Sequence, residues 1–424
     1  MAAGAPRPPG DGPSHRGRFT IPSLDGIRAL AVATVFLTHA GVPRLPAPLG
    51  VTVFFFLSGY LITTLLRMEH ESTGGISFRA FYLRRTFRIL PPLYIVIGLG
   101  VAVTGLGLVG AQHLHVWSTA AHVLFLSNYQ ILHAGWAGPH TGRPPGLGDL
   151  WSLSVEEHFY LLFPLAFLLL CRFVPSRRRQ AAVLLAACAA VLAWRCVLMW
   201  GLHASFDRTY VATDTRIDAI LFGCVLAVWR NPALDEPGRR SWRGPDLCSL
   251  LALPCAFVVL LTAGVIPVNT TLLGWLTDPK ISGTLQYTVQ GLCLLPIFVV
   301  VVRHHRWPVI RLLNARAMVF IGGLSYSIYI SHQLLIAVVR QNLPGGQVAH
   351  GVMYLAATLG FASLMFVVVE QPFARLRRNL SRIGPSADLE PAAGVPASDP
   401  PGRGCATLEE REVGALAAGQ RTPR

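Results

Sequence analysis

Charged residues are scarce in this sequence. Asp, Glu, Lys and Arg make up 13% of its 424 residues, about half of the roughly 25% found in an average soluble domain. Because a water-soluble fold of this size needs far more charged surface, the deficit excludes a soluble globular protein. The composition also differs from that of disordered chains, collagen, coiled coils and small disulfide scaffolds. With 52% hydrophobic residues and a mean hydropathy of +0.49, the chain is predicted to be a polytopic membrane protein.

Lysine and paired cysteines are also nearly missing. Lys280 is the only lysine, so arginine carries almost all of the positive charge. None of the eight cysteines forms a CxxC or a zinc-like pair, and most lie inside apolar runs. They therefore indicate small hydrophobic residues rather than a disulfide framework. We expect no metal and no tightly bound cofactor.

The first apolar run is not that of a cleaved signal peptide. It contains Asp25, Arg28 and His39, which the hydrophobic region of such a signal would not carry. Residues 1–20 are rich in Pro and Gly and are predicted to be a disordered cytoplasmic arm. Residues 384–424 contain no apolar run and are predicted to be a disordered cytoplasmic tail. Residues 21–383 form the predicted membrane domain, and no appended soluble catalytic domain is expected.

Ten apolar stretches predict membrane-spanning helices, which need about 20 mainly apolar residues. They lie at residues 24–42, 49–66, 89–110, 150–171, 181–202, 216–229, 247–267, 281–302, 317–338 and 350–370. The predicted fold class is therefore all-α, a polytopic transmembrane helical bundle of about ten spans. The stretch 114–132 is apolar but holds several polar groups. We interpret it as re-entrant or interfacial, with an eleventh spanning helix as the alternative.

The net charge of +15 is explained by arginines between these stretches. With a cytoplasmic N-terminus and ten spans, every basic cluster falls on the cytoplasmic side, as the positive-inside rule predicts. An eleventh span would place the cluster at Arg177–Arg179 and most later clusters outside. We therefore predict a multi-pass protein of the cell membrane with both termini in the cytoplasm and no nucleic-acid partner. The oligomeric state is left open.

Ionisable residues inside spanning helices are costly and are functional candidates by default. In the first span, Arg28 and His39 are eleven residues apart, about 16 Å of helix rise. Arg28 lies near the cytoplasmic end and His39 in the outer half, where a histidine suits a general base. The alternative for His39 is a polar residue at the outer interface.

Two further segments carry charge at membrane depth. In WSLSVEEHFYLLFP, Glu156 and Glu157 point about 100° apart on a helix, so they cannot face one site equally. The alternative is that these two glutamates only lie within an aromatic belt at the membrane interface. Before the third span, Arg85 and Arg88 share a helix face. Their guanidinium groups suit a phosphate clamp that faces the cytosol, although topology signals are the competing interpretation.

Polar groups in the later spans complete the candidate set. Arg216 and Asp218 lie at the outer end of the sixth span and are candidate site-lining residues. Tyr326 and His332 lie at roughly helical spacing in the ninth span, where interhelical hydrogen bonds are the alternative. Glu370 lies at the inner end of the tenth span and is expected to pair with the first-span arginine or with the clamp. Topology thus predicts a path from a cytosolic phosphate site to an outer reaction site.

Seven segments occur in an order that is similar to one known family. They are LDGIRALAV followed by His39, GVTVFFFLSGYLI, RRTFRILP, LWSLSVEEHFYLLFP, TRIDAILFG, SYSIYISH and VEQPF. From about Ile21 to Arg377 the chain resembles the membrane-bound acyltransferase-3 family, which includes O-antigen O-acetyltransferases and macrolide acyltransferases. Any one segment is a weak signal, but the ordered set is highly specific.

The resemblance implies transfer of an acyl group, usually acetyl from acetyl-CoA, to a hydroxyl of a carbohydrate or related acceptor. It implies that Arg28 and His39 form the family's Arg-x10-His motif, with His39 as the catalytic base. Arg85 and Arg88 match its RxxR motif, which is associated with acyl-CoA. The acyl-CoA, the acceptor and the lipid bilayer are therefore the expected partners.

Glu156 and Glu370 match two further glutamates of the family. We expect Glu156 to orient His39, which deprotonates the acceptor hydroxyl for attack on the thioester. Ser58 in the LSGY segment is a weak candidate nucleophile, and a covalent acyl-enzyme is left open. His158 stands where many members of the family have glutamine.

Two alternatives stay open at the level of function. A transporter or flippase of a glycan or lipid-linked substrate would also explain intramembrane charge, but not the ordered segments. The acceptor could be a cell-envelope glycan or a secondary metabolite such as a macrolide. Some family members carry a fused extracytoplasmic SGNH esterase-like domain. None is expected here, so the membrane domain would acylate the acceptor itself or pass the acyl group to a separate protein.

Overall fold

The computed structural model describes residues 21–109, 114–136, 142, 144, 146–235, 247–266, 278–304 and 306–381. All regular secondary structure in these ranges is helical, so the predicted all-α class is confirmed. The predicted N-terminal arm and the predicted tail, residues 384–424, lie outside the described residues.

Fifteen α-helices occupy the described residues. In chain order they are α1 (Pro22–His39), α2 (Ala47–Thr73), α3 (Phe78–Gly105), α4 (Val116–Val123), α5 (Ser127–Ala134), α6 (Leu150–Phe173), α7 (Arg177–Cys196), α8 (Phe206–Val211), α9 (Thr213–Val228), α10 (Leu247–Thr262), α11 (Pro279–Arg303), α12 (Pro308–Leu313), α13 (Arg316–Asn342), α14 (Gln347–Met365) and α15 (Gln371–Ser381). Two of them continue as single π-helical turns, α7 into Val197–Gly201 and α14 into Phe366–Glu370.

A helix lies over each of the ten predicted spans. Among the described residues, the helices α2, α3, α6, α7, α11, α13 and α14 are long and apolar enough to cross a membrane. The other three are shorter: α1 has 18 residues, and α9 and α10 have 16 each. Sixteen residues rise about 24 Å, less than the hydrocarbon core of about 30 Å. The multi-pass membrane fold is therefore confirmed, whereas the number of ten spans stays a prediction.

The segment that we interpreted as re-entrant or interfacial folds as two short helices. The helices α4 and α5 have eight residues each, about 12 Å of rise. Between them Phe125 has a φ of 58°, a left-handed conformation that interrupts an α-helix. Neither helix is long enough to span a bilayer, so the alternative of an eleventh continuous span is wrong for these residues.

Glycines let four helices approach closely at the centre of the bundle. The helix α2 packs along α9, and α1 packs along α13. A Cβ atom added at Gly59 of α2 would lie 1.9 Å from the carbonyl oxygen of Ile220 in α9. One added at Gly322 of α13 would lie 2.0 Å from the carbonyl oxygen of Asp25 in α1. Small residues of this kind favour tight helix contact in membranes, and here they set the depth of α1 relative to α13.

Replacing Gly59 by Ala is predicted to destabilise the bundle, because the added methyl group has no room against the backbone of α9. The expected loss is about 1–3 kcal/mol, the usual cost of overpacking. The matched control is Gly98→Ala in α3, where nothing lies within 4 Å of the added Cβ atom. Thermal unfolding of both variants in one detergent measures the effect. An equal Tm for the two would contradict the tight contact between α2 and α9.

Candidate active site

His39, at the end of α1, meets two residues from distant parts of the chain. Its Nδ1 atom lies 3.1 Å from Nε2 of His332 in α13. It also lies 3.5 Å from Oδ2 of Asp149, the residue that precedes α6. The same Asp149 oxygen is 3.2 Å from Nε2 of His332. These three residues define the histidine end of the bundle.

Exposure differs among the three side chains. His332 is 1% exposed, Asp149 14% and His39 30%. A substrate can therefore reach His39, whereas the protein encloses His332. Nδ1 of His332 lies 2.7 Å from the backbone carbonyl oxygen of Tyr329 and must donate to it, since a carbonyl oxygen only accepts. In the neutral ring Nε2 of His332 is then an acceptor, directed at Nδ1 of His39.

The Asp149 carboxyl group is ionised at neutral pH. Burial by itself would raise its pKa. The contact with His332 and the charges of His39 and His332 outweigh burial and hold the pKa of Asp149 below its ordinary value of 3.8. A side-chain hydrogen bond from Gln333 acts in the same direction. A negative charge therefore faces both imidazole rings and can stabilise a proton that either ring takes up.

A cavity of about 130 Å³ leads from the opposite end of the bundle toward these residues. Arg28, Arg85 and Arg88 line it and define the arginine end. Neither histidine of the histidine end, nor Asp149, is among its lining residues. The cavity therefore covers the arginine side of the path that topology predicts, and its lining residues stop about one helical turn short of the histidines.

The arginine end presents guanidinium groups to the cavity from two helices. Arg85 and Arg88 face the cavity together, as their spacing on α3 predicts. Arg85 also lies over the ring of Tyr160, with its guanidinium carbon 4.8 Å from the ring centre. Arg28 bonds an acid of its own helix at 2.7 Å. Arg84 turns away and pairs with an acid of α2 at 3.3 Å, so only two of the neighbouring arginines of α3 face the cavity.

Glu156 lies in the wall of the cavity and not beside His39. Its Oε1 accepts a hydrogen bond from Ser58 Oγ at 3.0 Å, and its Oε2 accepts one from the Tyr160 hydroxyl at 3.1 Å. The expectation that Glu156 orients His39 is therefore wrong. Asp149 takes that place, because it lies about two helical turns nearer to the histidine end. Ser58 lines the cavity with its hydroxyl against a carboxylate, an arrangement that is compatible with a nucleophile.

The helix α13 and the π-helical turn after α14 form one side of the arginine end. Tyr326 and Glu370 lie on this side. Glu370 Oε1 accepts a hydrogen bond from Ser327 Oγ at 2.5 Å, and the charge of Arg88 acts on the same carboxyl group. Glu370 therefore lies where the charge of Arg88 acts on it, and its pairing with an arginine stays a prediction. Tyr326 lines the cavity, and its hydroxyl donates to the backbone carbonyl oxygen of Ile89 at 2.7 Å.

The helix α9 contributes buried charge that does not line the cavity. Asp218 accepts hydrogen bonds from Arg195 of α7 at 2.6 and 3.0 Å, and both side chains are fully buried. Arg216 lies over the ring of Tyr287, 3.6 Å from its centre. Neither Arg216 nor Asp218 is among the lining residues of the cavity, so their place in the site stays a prediction. The Arg195–Asp218 pair is structural, since removing one partner would leave a buried unpaired charge.

Sequence reasoning missed two residues of these arrangements. Asp149 stands in a Gly-rich segment, GLGDLW, and its signal is an acid directly before an apolar helix. Arg195 lies inside the fifth predicted span, where the cost of an intramembrane charge marks it as a residue with a partner. The sequence marks both Asp149 and Arg195 as unusual, but it does not show which residues they contact.

Residues 21–369 match the family described as an acyltransferase domain, acyltransferase-3. The match covers well over half of the chain. The chain belongs to the acyltransferase-3 family. Peptidoglycan O-acetyltransferase OatA of Listeria monocytogenes is 28% identical over 365 residues, which are 84% of this chain and 56% of that relative.

Two further acyltransferase-3 relatives have provisional names. The peptidoglycan O-acetyltransferase YrhL of Bacillus subtilis is 30% identical, over 83% of this chain and 54% of its own length. An O-acetyltransferase of Staphylococcus aureus (strain COL) is 29% identical, over 84% of this chain and 57% of its own. The chain thus spans a little over half the length of these relatives. No solved structure matches it.

The histidine end also has the composition of a metal site. One ligand atom from each of His39, Asp149 and His332 lies within 4.8 Å of the others. Two histidines and one carboxylate form a known zinc ligand set with an open fourth position. The two imidazoles are within hydrogen-bond distance of each other at 3.1 Å, and the Asp149 carboxylate lies within ion-pair distance of both rings, at 3.2 and 3.5 Å. These contacts are those of an acid–base site without a metal ion.

The lowered pKa of Asp149 predicts a pH-dependent stability. A carboxyl group whose pKa is depressed by folding stabilises the fold above its unfolded pKa, and this contribution is lost as the pH falls through the folded pKa. The Tm of the unmodified protein should therefore exceed that of Asp149→Asn most at neutral pH. The difference should shrink below about pH 4. Thermal unfolding of both proteins between pH 7 and pH 3 measures it.

The control for this measurement is Asp207→Asn. Asp207 is an acid of α8 and contacts neither histidine in the described hydrogen bonds and ion pairs. Its substitution corrects for the loss of one carboxylate from the same protein. A Tm difference for Asp149→Asn that stays constant across this pH range would contradict the pairing of Asp149 with the histidines.

Proposed function

We propose that the protein is an integral membrane O-acyltransferase. It transfers an acyl group, with acetyl as the first choice, from acyl-CoA to a hydroxyl of a carbohydrate or glycosylated acceptor. One observation carries the proposal: a single cavity leads from three arginines toward a His–His–Asp site. Guanidinium groups suit a phosphorylated donor, and imidazole suits proton removal from a hydroxyl. Membership of the acyltransferase-3 family supports acyl transfer as the reaction class.

The arginine end fits the phosphates of coenzyme A. The cavity wall also carries apolar side chains, with Leu57, Leu61 and Leu65 of α2 among its lining residues. An apolar wall with a few placed polar groups is typical of ligand pockets, and here it suits the pantetheine arm. The predicted orientation places the arginine end in the cytosol, the compartment of acyl-CoA.

We assign the role of general base to His39. It takes the proton of the acceptor hydroxyl while the acceptor oxygen attacks the thioester carbonyl carbon. The carbon–sulfur bond then breaks, and the departing CoA thiolate takes up the proton from the imidazole. Between these two proton transfers Asp149 stabilises the charge on His39, as the acid partner does in a Ser-His-Asp site.

The acceptor is proposed to approach from the histidine end. His39 keeps nearly a third of its side chain exposed, and it lies at the end of α1 opposite to Arg28. Donor and acceptor therefore approach from opposite sides of the bundle. Two of the relatives are named for peptidoglycan, which supports a cell-envelope glycan as acceptor, with a glycosylated metabolite such as a macrolide as the alternative.

Arg85→Gln and Arg88→Gln are predicted to raise the KM for acetyl-CoA by roughly tenfold each, about 1.4 kcal/mol, because each removes a forked phosphate partner. The measurement is thiol release by the purified full chain, with peptidoglycan fragments and macrolides as acceptors. Arg84→Gln is the matched control, since Arg84 pairs with an acid of α2. An equal KM for all three variants would contradict the assignment of Arg85 and Arg88 to the phosphates of acetyl-CoA. No thiol release with any acceptor would favour a transporter or flippase.

His39→Ala is predicted to lower the turnover by about 10²–10⁴-fold, the usual contribution of a general base. His133→Ala, which changes an exposed histidine of α5, is the control and should keep full activity. Near-normal turnover by a folded His39→Ala variant would overturn the assignment of the base.

A chelator distinguishes the two possible roles of His39, general base and metal ligand, in the same assay. We expect EDTA treatment to leave the turnover unchanged. Loss of activity on chelation, with recovery on adding Zn²⁺, would reassign His39 as a metal ligand.

A further inference from the structure

The cavity ends at a pair of hydroxyl groups. Ser152 of α6 and Tyr329 of α13 are both lining residues. Their hydroxyl oxygens are 2.6 Å apart, the length of a short hydrogen bond. The ring of Phe54 packs at 6.0 Å, edge to face, against the ring of Tyr329. These side chains from α2, α6 and α13 form the wall beyond which the cavity does not continue.

Backbone contacts hold this wall in place. The Tyr329 hydroxyl donates to the backbone carbonyl oxygen of Asp149 at 3.0 Å, and Ser152 Oγ lies 3.2 Å from the same oxygen. The Ser152 amide is also 3.2 Å from that oxygen. Because a carbonyl oxygen has two lone pairs, the second hydroxyl proton is left for the bond between Ser152 and Tyr329. The phenol ring is thus tethered across the gap between α6 and α13.

The tethered ring lies one helical turn from the reacting groups. Ser152 follows Asp149 by three residues in α6, and Tyr329 precedes His332 by three residues in α13, a rise of about 4.5 Å in each case. The ring centres of Tyr329 and His332 are 6.0 Å apart. A thioester carbonyl that meets an acceptor at His39 must therefore lie directly beside the Tyr329 ring.

We propose that the Tyr329 ring, tethered by Ser152, closes the donor cavity and limits the length of the acyl group that the enzyme transfers. This rests on the proposed function, because it takes acyl-CoA as the donor. The carbons beyond the thioester carbonyl have only the space that Tyr329 and Phe54 leave. An acetyl group fits against the ring, whereas each further methylene group has to displace it.

The test compares acetyl-CoA with butyryl-CoA and hexanoyl-CoA on the purified full chain. Tyr329→Ala removes the ring and is expected to raise the ratio of kcat/KM for butyryl-CoA over acetyl-CoA at least about tenfold. Tyr329→Phe keeps the ring but loses the hydroxyl that tethers it, so it should shift this ratio by less than Tyr329→Ala. Tyr94→Ala, which removes an exposed tyrosine ring of α3, is the matched control and should leave the ratio unchanged.

Two results would overturn the proposal. One is an unchanged ratio in an active Tyr329→Ala variant. The other is a shift in Tyr329→Phe as large as that in Tyr329→Ala, because the hydroxyl rather than the ring would then determine the choice of acyl group.

A binding measurement tests the same proposal when Tyr329→Ala folds poorly or turns over too slowly for kinetics. Tyr329→Leu keeps an apolar side chain in place of the ring, and unreactive S-ethyl-CoA and S-butyl-CoA thioethers report affinity without chemistry. We expect the ratio of their Kd values to shift toward S-butyl-CoA by at least about tenfold. An unshifted ratio contradicts the proposal. If the unmodified protein binds neither thioether, the proposal that acyl-CoA is the donor is wrong. This result differs from an unshifted ratio, which contradicts only the role of Tyr329.

Discussion

The contact among His39, His332 and Asp149 is the constraint on which the rest of the site depends. It joins the end of α1, the middle of α13 and the residue before α6, which are far apart in the chain. A carboxylate at the border of an apolar bundle is costly unless it is paired, and the two imidazoles pair it. Their contact joins neighbouring points of α1, α6 and α13, and the polar side chains one and two turns further along α6 and α13 line the cavity.

Buried charge in this protein falls into two kinds. Arg195 and Asp218 form a closed pair that links α7 to α9 and bonds further groups of α11. Such a pair leaves no site for a ligand. Arg85 and Arg88 instead face a cavity, so their guanidinium groups are positioned to bind an added anion. The scarcity of charge makes both kinds conspicuous in the sequence, but only the surroundings of each residue separate structure from ligand binding.

Much of the architecture could be predicted because it depends on local pattern. A run of about 20 apolar residues specifies a helix by itself, and a helix lies over each predicted span. The shared face of Arg85 and Arg88 follows from helical spacing and is observed at the cavity. The pairing of Glu156 with His39 was wrong, because pairing depends on which helices are neighbours and at what depth.

The sequence by itself determined that this is an all-helical membrane protein, where its helices lie, and which few ionisable residues need an explanation. Those properties follow from hydropathy and helical period, which act over short stretches of chain. Only the tertiary structure decided that Asp149 rather than Glu156 meets His39, and that the cavity stops at Tyr329. The reason is that helix neighbours and their register are set by close contacts such as those of Gly59 and Gly322, between segments that are remote in sequence.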